Sequence, residues 1–259
     1  MSATRDERRV ILCEGKHDCA FWGALLQRLG CRKGAADPRG SRLPGMTSQS
    51  GAFVVLRDLG REVKWSDVAN ELKEANTAPV SDIVHCTDSD QATPTIDFSQ
   101  ARKTRKGNVL DAARALQLVD GHAASTGWDS ATESAFFPLK SQAPLTTRVS
   151  VVVWGANAEP QDGVPAQQTL ERMICLAMAQ AYPETAKCVE AWLKSRPTPP
   201  PLSKGDHKAY AASYMAGWHA GRDYQGFFQA VWEDPKVAER LMAILRASGA
   251  WEVAERISA

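Results

Sequence analysis

What the chain lacks narrows its chemistry first. No Cys-x-x-Cys pair occurs among Cys13, Cys19, Cys31, Cys86, Cys175 and Cys188, and no Cys-His cluster has structural-zinc spacing. Cys13 and Cys86 stand inside apolar runs, where a thiol acts as a small hydrophobe. A Gly-x-x-x-x-Gly-Lys-Ser/Thr phosphate loop is missing, so the chain does not carry that nucleotide-binding device. No stretch approaches the roughly 20 apolar residues of a membrane span. The opening Arg5-Asp6-Glu7-Arg8-Arg9 is charged and precedes only a short apolar run, which is unlike a secretory signal. A cytoplasmic protein with reduced thiols is expected, with no membrane partner. Charge of one sign is also lacking: 31 basic and 30 acidic residues leave a net +1. That balance neither demands nor excludes nucleic acid, because a basic patch can sit within a neutral total.

What remains is an ordinary globular composition, 44% hydrophobic and 24% charged over 259 residues, enough for one sizeable core. Val10-Ile11-Leu12-Cys13 is too apolar to have a wet face and predicts a buried parallel strand. It leads through Glu14-Gly15-Lys16-His17-Asp18 into a helix, with Phe21, Trp22, Leu25, Leu26 and Leu29 at helical spacing and Gly30 as its stop. Asp18 suits that helix's N-terminus, as cap or dipole partner. Residues 34–51, rich in Gly, Pro and Ser, read as a long loop. Further strands are predicted at residues 52–56, 82–87 and 149–154, and helices at 66–73 (Ser66 as cap), 109–118 and about 167–181.

Alternating strands and helices imply an α/β Rossmannoid fold with a largely parallel central sheet flanked by helices. Residues 1–195 are expected to form the main domain. The run Arg196-Pro197-Thr198-Pro199-Pro200-Pro201 is a semi-rigid connection. A helical extension to residue 259 follows and packs on that domain, with Pro235 opening a last long helix whose Val237, Leu241, Ile244 and Leu245 face inward.

Ligand chemistry in open α/β sheets lies beyond the carboxyl ends of the strands. Two such ends carry acids: Glu14 after the first strand, and Asp88 and Asp90 after the strand at 82–87. If the chain stays extended, Asp88 and Asp90 share a face and can point toward Glu14 from a neighbouring strand. Two like charges 4 Å apart cost about 4 kcal/mol at an effective dielectric near 20. Such a cluster raises its pKa values or takes up a divalent cation, and oxygen-only ligands favour Mg²⁺ or Mn²⁺ over zinc. His17 reads as a solvated or capping residue, and His85 as structural.

The segment from Val10 to Asp18 resembles the opening Toprim motif, an apolar strand followed by Glu-Gly and then an Asp. The segment Ile83-Val84-His85-Cys86-Thr87-Asp88-Ser89-Asp90 resembles the second Toprim motif, an apolar strand ending in Asp-x-Asp. The order and separation are similar too, over residues 9–92. The later layout looks most like the stand-alone OLD-like branch (overcoming lysogenization defect). In that branch a further strand leads to a Gly and then an acid opening a helix; here these are Val151-Val152-Val153-Trp154, Gly163 and Glu171. Glu171 lies further from the Gly than is usual in the family, so Asp162 or Glu159 is an alternative ligand. By position, Lys204 or Lys208 matches the lysine that OLD-like nucleases use.

The resemblance implies a Mg²⁺-dependent nuclease acting on DNA in preference to RNA, with Glu14, Asp88 and Asp90 as ligands and Lys208 as charge stabiliser. It also implies an alternative: a subunit controlled by a separate ATPase, in the manner of antiviral defence systems. The cluster Arg102, Lys103, Arg105 and Lys106 could grip a phosphate backbone, though most charge runs are solvated surface. A second alternative is a phosphatase of HAD-like type, whose motif also ends a strand in Asp-x-Asp. That family places Thr or Val where Ala92 stands, and it gives Glu14 no task. The four tyrosines, Tyr182, Tyr210, Tyr214 and Tyr224, lie in the last third with no nucleophile context, so strand religation has no support.

Overall fold

A computed structural model describes residues 7–35, 45–74, 80–88, 137–138, 147–156, 169–195, 212–213 and 223–259. Four parallel strands form the centre: β1 (Arg8–Cys13), β4 (Phe53–Asp58), β5 (Val80–Asp88) and β7 (Arg148–Trp154). Every residue of β1 and all but the last of β5 are buried. That double-sided burial is why these strands read as unbroken apolar runs. Antiparallel strands finish both edges: β2 (Arg32–Ala35) and β3 (Gly45–Thr47) beside β4, and β6 (Phe137–Pro138) beside β7.

The complete order is β2-β3-β4-β1-β5-β7-β6. The chain leaves β1 for β4 on one side, then crosses back to β5 on the other. The order therefore reverses between β1 and β5, the place where α/β sheets open a crevice at their carboxyl ends.

Helices cover the sheet: α1 (Lys16–Arg28), α2 (Trp65–Glu74), α3 (Leu170–Ala181), α4 (Pro183–Lys194), α5 (Tyr224–Glu233), α6 (Pro235–Ser248) and α7 (Ala250–Ser258). Alternate strand residues Ile11, Cys13, Val84, Cys86, Val152 and Trp154 share one buried cluster with α1, α3, α5, α6 and α7. Phe21 sits at its heart, edge-on to both Trp154 and Phe228 at 5.5 and 5.7 Å. Such pairs add about 0.5–1.5 kcal/mol each beyond simple burial. α2 lies against β5, with Val68 buried and Glu71 paired to Arg57 at 2.8 Å. The C-terminal helices are thus part of the main core. The chain end is tied in by Gln49 N–H to the Ser258 carbonyl and Ser50 N–H to that of Ala259, both at 2.8 Å.

Several expectations need correction. Residues 34–51 are not simply loop: β2 and β3 occupy their described ends, paired through the backbone rather than by any side-chain pattern. Ser66 does not cap α2. The helix begins at Trp65, and Asp67 reaches back to accept from the Lys64 N–H at 2.8 Å. α3 starts at Leu170 rather than near 167, because the Thr169 side chain accepts from Arg172 N–H and caps it. Pro235 does open a helix, but the last one is α7. Gly249, at φ 75°, makes the left-handed turn between the two. Val237, Leu241 and Leu245 are buried there, while Ile244 is half-buried.

The expected helix at 109–118, the basic cluster at 102–106 and the proline run lie outside the described residues. Among the described residues, no helix is long and apolar enough to cross a membrane.

Candidate functional site

Three strand ends and two helix starts meet in a cleft of about 320 Å³. Glu14 follows β1, Asp88 ends β5, and Gly60, Arg61 and Glu62 follow β4. Lys16, His17 and Asp18 come from the first turn of α1, and Leu170 and Glu171 from that of α3. The parallel pairing of β1 with β4 and β5, regular from Arg9 onward, brings these ends level.

Glu14 is oriented by its neighbouring strand. Its Oε1 accepts a short hydrogen bond from the Thr87 hydroxyl and a second from the Asp88 N–H at 3.2 Å. Asp88 Oδ1 in turn accepts from the Leu170 N–H at 3.1 Å. That N–H is one of the unpaired donors at the start of α3, where the helix dipole favours a negative charge. The two carboxylates are thus fixed by β5 and α3, not merely close in sequence to a strand end.

Asp18 forms the buried floor. Its Oδ1 accepts from Trp154 Nε1 at 2.7 Å and its Oδ2 from the Gly15 N–H at 3.1 Å. Its carboxyl is pushed up to about 6, by burial first and then by repulsion from Glu171 and Glu14, with the two hydrogen bonds opposing the shift. His17 Nδ1 stands 3.4 Å from Glu171 Oε1, so the first turns of α1 and α3 are linked across the cleft.

Glu14, Asp88 and Glu171, three of the acids singled out from the sequence, line this one cleft. Asp90, Asp162, Glu159, Lys204 and Lys208 lie outside the described residues. Among the described residues, no three His, Cys, Asp or Glu side chains already form a metal-binding group. The donor chemistry nonetheless fits a hard dication: the acids offer only carboxylate oxygen, and repulsion from Glu171 and Glu14 adds to the burial that raises Asp18.

His85 is buried within β5, as a structural residue would be. Sequence reasoning missed Thr87, Trp154 and Arg61. A lone indole ending an otherwise aliphatic strand was the available sign for Trp154.

No family model matches this chain, and no curated protein matches it. Among solved structures, the crystal structure of a hypothetical protein from Pyrococcus horikoshii OT3 is similar, with a TM-score of 0.60 and 14% identity. The likeness covers 98% of this chain and 100% of that one. At such low identity it speaks for the fold alone: a Rossmann-like α/β architecture with a mostly parallel mixed sheet and C-terminal helices.

Proposed function

We propose that the chain is a metal-dependent phosphodiester hydrolase of Toprim-like type, acting on DNA. The observation that carries this reading is the meeting of Glu14 and Asp88, from neighbouring parallel strands at the topological switch point, with Glu171 in one cleft. Glu14, Asp88 and Glu171 would hold Mg²⁺ or Mn²⁺, with Asp90 and Asp162 as further ligands by sequence. When bound, such an ion supplies an acidified water and a counter-charge for the phosphate.

The chain's own residues account for the rest of the site's behaviour. Thr87 and the Asp88 N–H hold Glu14 in one orientation, and the Leu170 N–H does the same for Asp88. The cost of keeping several carboxylates together gives the cluster a reason to take up a cation. These 259 residues carry no Gly-x-x-x-x-Gly-Lys-Ser/Thr phosphate loop, so control by an ATPase of that type would act from outside them.

The test is nicking of supercoiled plasmid with Mg²⁺ or Mn²⁺. Wild-type chain should nick, and Glu14→Ala and Asp88→Ala should lose nicking while keeping wild-type circular dichroism. Unchanged nicking by a folded double variant would overturn the proposal. Nicking that appears only after an ATPase partner is added would instead favour the controlled-subunit reading.

A further inference from the structure

The loop after β4 brings a cation to the same cleft. Gly60, at φ 64°, turns the chain directly past β4, with its N–H donated to Asp58 Oδ1 at 2.9 Å. The left-handed turn suits glycine. Because Cys13 pairs with Asp58 across β1 and β4, the turn stands beside the Glu14 strand end, and the residue it delivers to the cleft is Arg61.

Arg61 is not a loose surface cation. Its Nη1 and Nη2 donate to the two oxygens of Asp67 at 2.9 and 2.7 Å, and Nη1 also donates to the Glu62 carbonyl at 3.0 Å. Asp67 is itself anchored by the Lys64 N–H and is buried at the start of α2. The Arg61 guanidinium beside it holds its carboxyl below the usual carboxylate range. A guanidinium has five N–H donors in a rigid plane. Among the described residues three are committed, which leaves the Nε–H and the second Nη2–H side by side along one edge. That edge matches two oxygens of one phosphate, the bidentate geometry for which arginine is suited and lysine is not.

We propose that Arg61, positioned by Asp67, grips a backbone phosphate of the DNA strand whose neighbouring phosphodiester lies at the Glu14–Asp88 acids. This rests on the phosphodiester reading and adds the substrate grip that reading lacks. In an acid-lined cleft, a pre-oriented cation offsets the repulsion between the carboxylates and an incoming phosphate, and holding its fork in place lowers the ordering cost of binding.

The experiment measures binding of a fluorescein-labelled DNA duplex to the full chain with Ca²⁺ in place of Mg²⁺, across a series of salt concentrations. Arg61→Ala should weaken binding about tenfold, as expected for losing charged hydrogen bonds. It should also flatten the slope of log K against log salt by about one, the signature of one lost phosphate contact. Arg61→Lys should keep most of the slope and regain only part of the affinity. Arg61→Ala should melt a few degrees below wild type, because it leaves the buried Asp67 carboxylate without its bidentate partner, so binding is measured well below the melting range, where far-ultraviolet circular dichroism should match wild type.

Wild-type affinity and slope in Arg61→Ala would overturn this inference and leave the hydrolase reading standing. A fall in affinity at unchanged slope would assign Arg61 to loop structure and would overturn it too. If the wild-type chain binds no DNA, both proposals fall together.

Discussion

Replacing Trp154 with phenylalanine removes one donor from the cleft floor while keeping an aromatic ring beside Phe21 and Trp22. The lost bond, Trp154 Nε1 to Asp18 Oδ1 at 2.7 Å, ends on a carboxyl that is only 8% exposed. Burial raises this carboxyl to about 6, so folding favours its protonated form. That contribution is complete below about pH 4, the unfolded value, and is lost as pH rises through about 6. A hydrogen bond is worth about 1.5–3 kcal/mol to a charged group and about 1 kcal/mol to a neutral one. Losing it should therefore move the Asp18 titration upward by roughly one pH unit.

At pH 5 the carboxyl is neutral in both proteins, and only the smaller ring and the neutral bond count. At pH 8 it is charged in both, and the variant should be less stable by a further ~1 kcal/mol. Urea denaturation followed by far-ultraviolet circular dichroism at the two pH values measures the difference directly. Equal destabilisation at pH 5 and pH 8 would refute the assignment of Trp154 as the donor that holds a buried Asp18 carboxylate.

Other parts of the molecule make independent predictions. Asp82, 1% exposed, is bounded by Arg9, Arg148 and Arg256 at 3.7, 3.2 and 3.3 Å. Asp82→Ala should cost about 1–3 kcal/mol in urea denaturation, because the mostly buried Arg9 loses this partner while Arg148 and Arg256, each 36% exposed, can turn to water. Gly45→Ala would drive its methyl group into the Phe53 ring across the β3–β4 pair, and should cost about 1–3 kcal/mol by the same assay. Asp234 caps α6 by accepting from Lys236 and Val237 N–H at 2.9 and 3.1 Å, and it also accepts from the Tyr182 hydroxyl at 2.8 Å. Asp234→Ala should therefore lower the thermal midpoint, with a cost of about 1–2 kcal/mol.

The parts of this fold legible in the sequence were those that burial writes into composition. β1, β5 and β7 are buried along nearly their whole length and β4 over its first half, so their apolar runs announce them. α1 showed its face through Phe21, Trp22, Leu25 and Leu26, all fully buried. The β2–β3 pair did not announce itself, because short edge strands are held by backbone hydrogen bonds and need no apolar alternation.

The adjacency of β1 and β5, on which the whole site depends, is a property of the sheet order and of no single segment. Glu14 and Asp88 could be picked out as acids following buried strands. Their fixing by Thr87 and Leu170 could not, because those contacts join residues 73 and 82 positions apart. Asp18 read as a helix cap, and it does accept from Gly15. Its second bond, to Trp154, spans 136 positions and makes it the floor of the cleft. Arg61 was passed over for a similar reason: its partner Asp67 lies nearby on α2, but its place beside Glu14 follows only from the pairing of β1 with β4.

The proposed divalent-cation site in the Glu14–Asp88 cleft is open to direct observation in an anomalous difference map from Mn²⁺-soaked crystals. A peak should lie between the Glu14 and Asp88 carboxylates, within coordinating reach of both. A map in which Mn²⁺ binds elsewhere, or nowhere, while both carboxylates remain ordered and uncoordinated would contradict it.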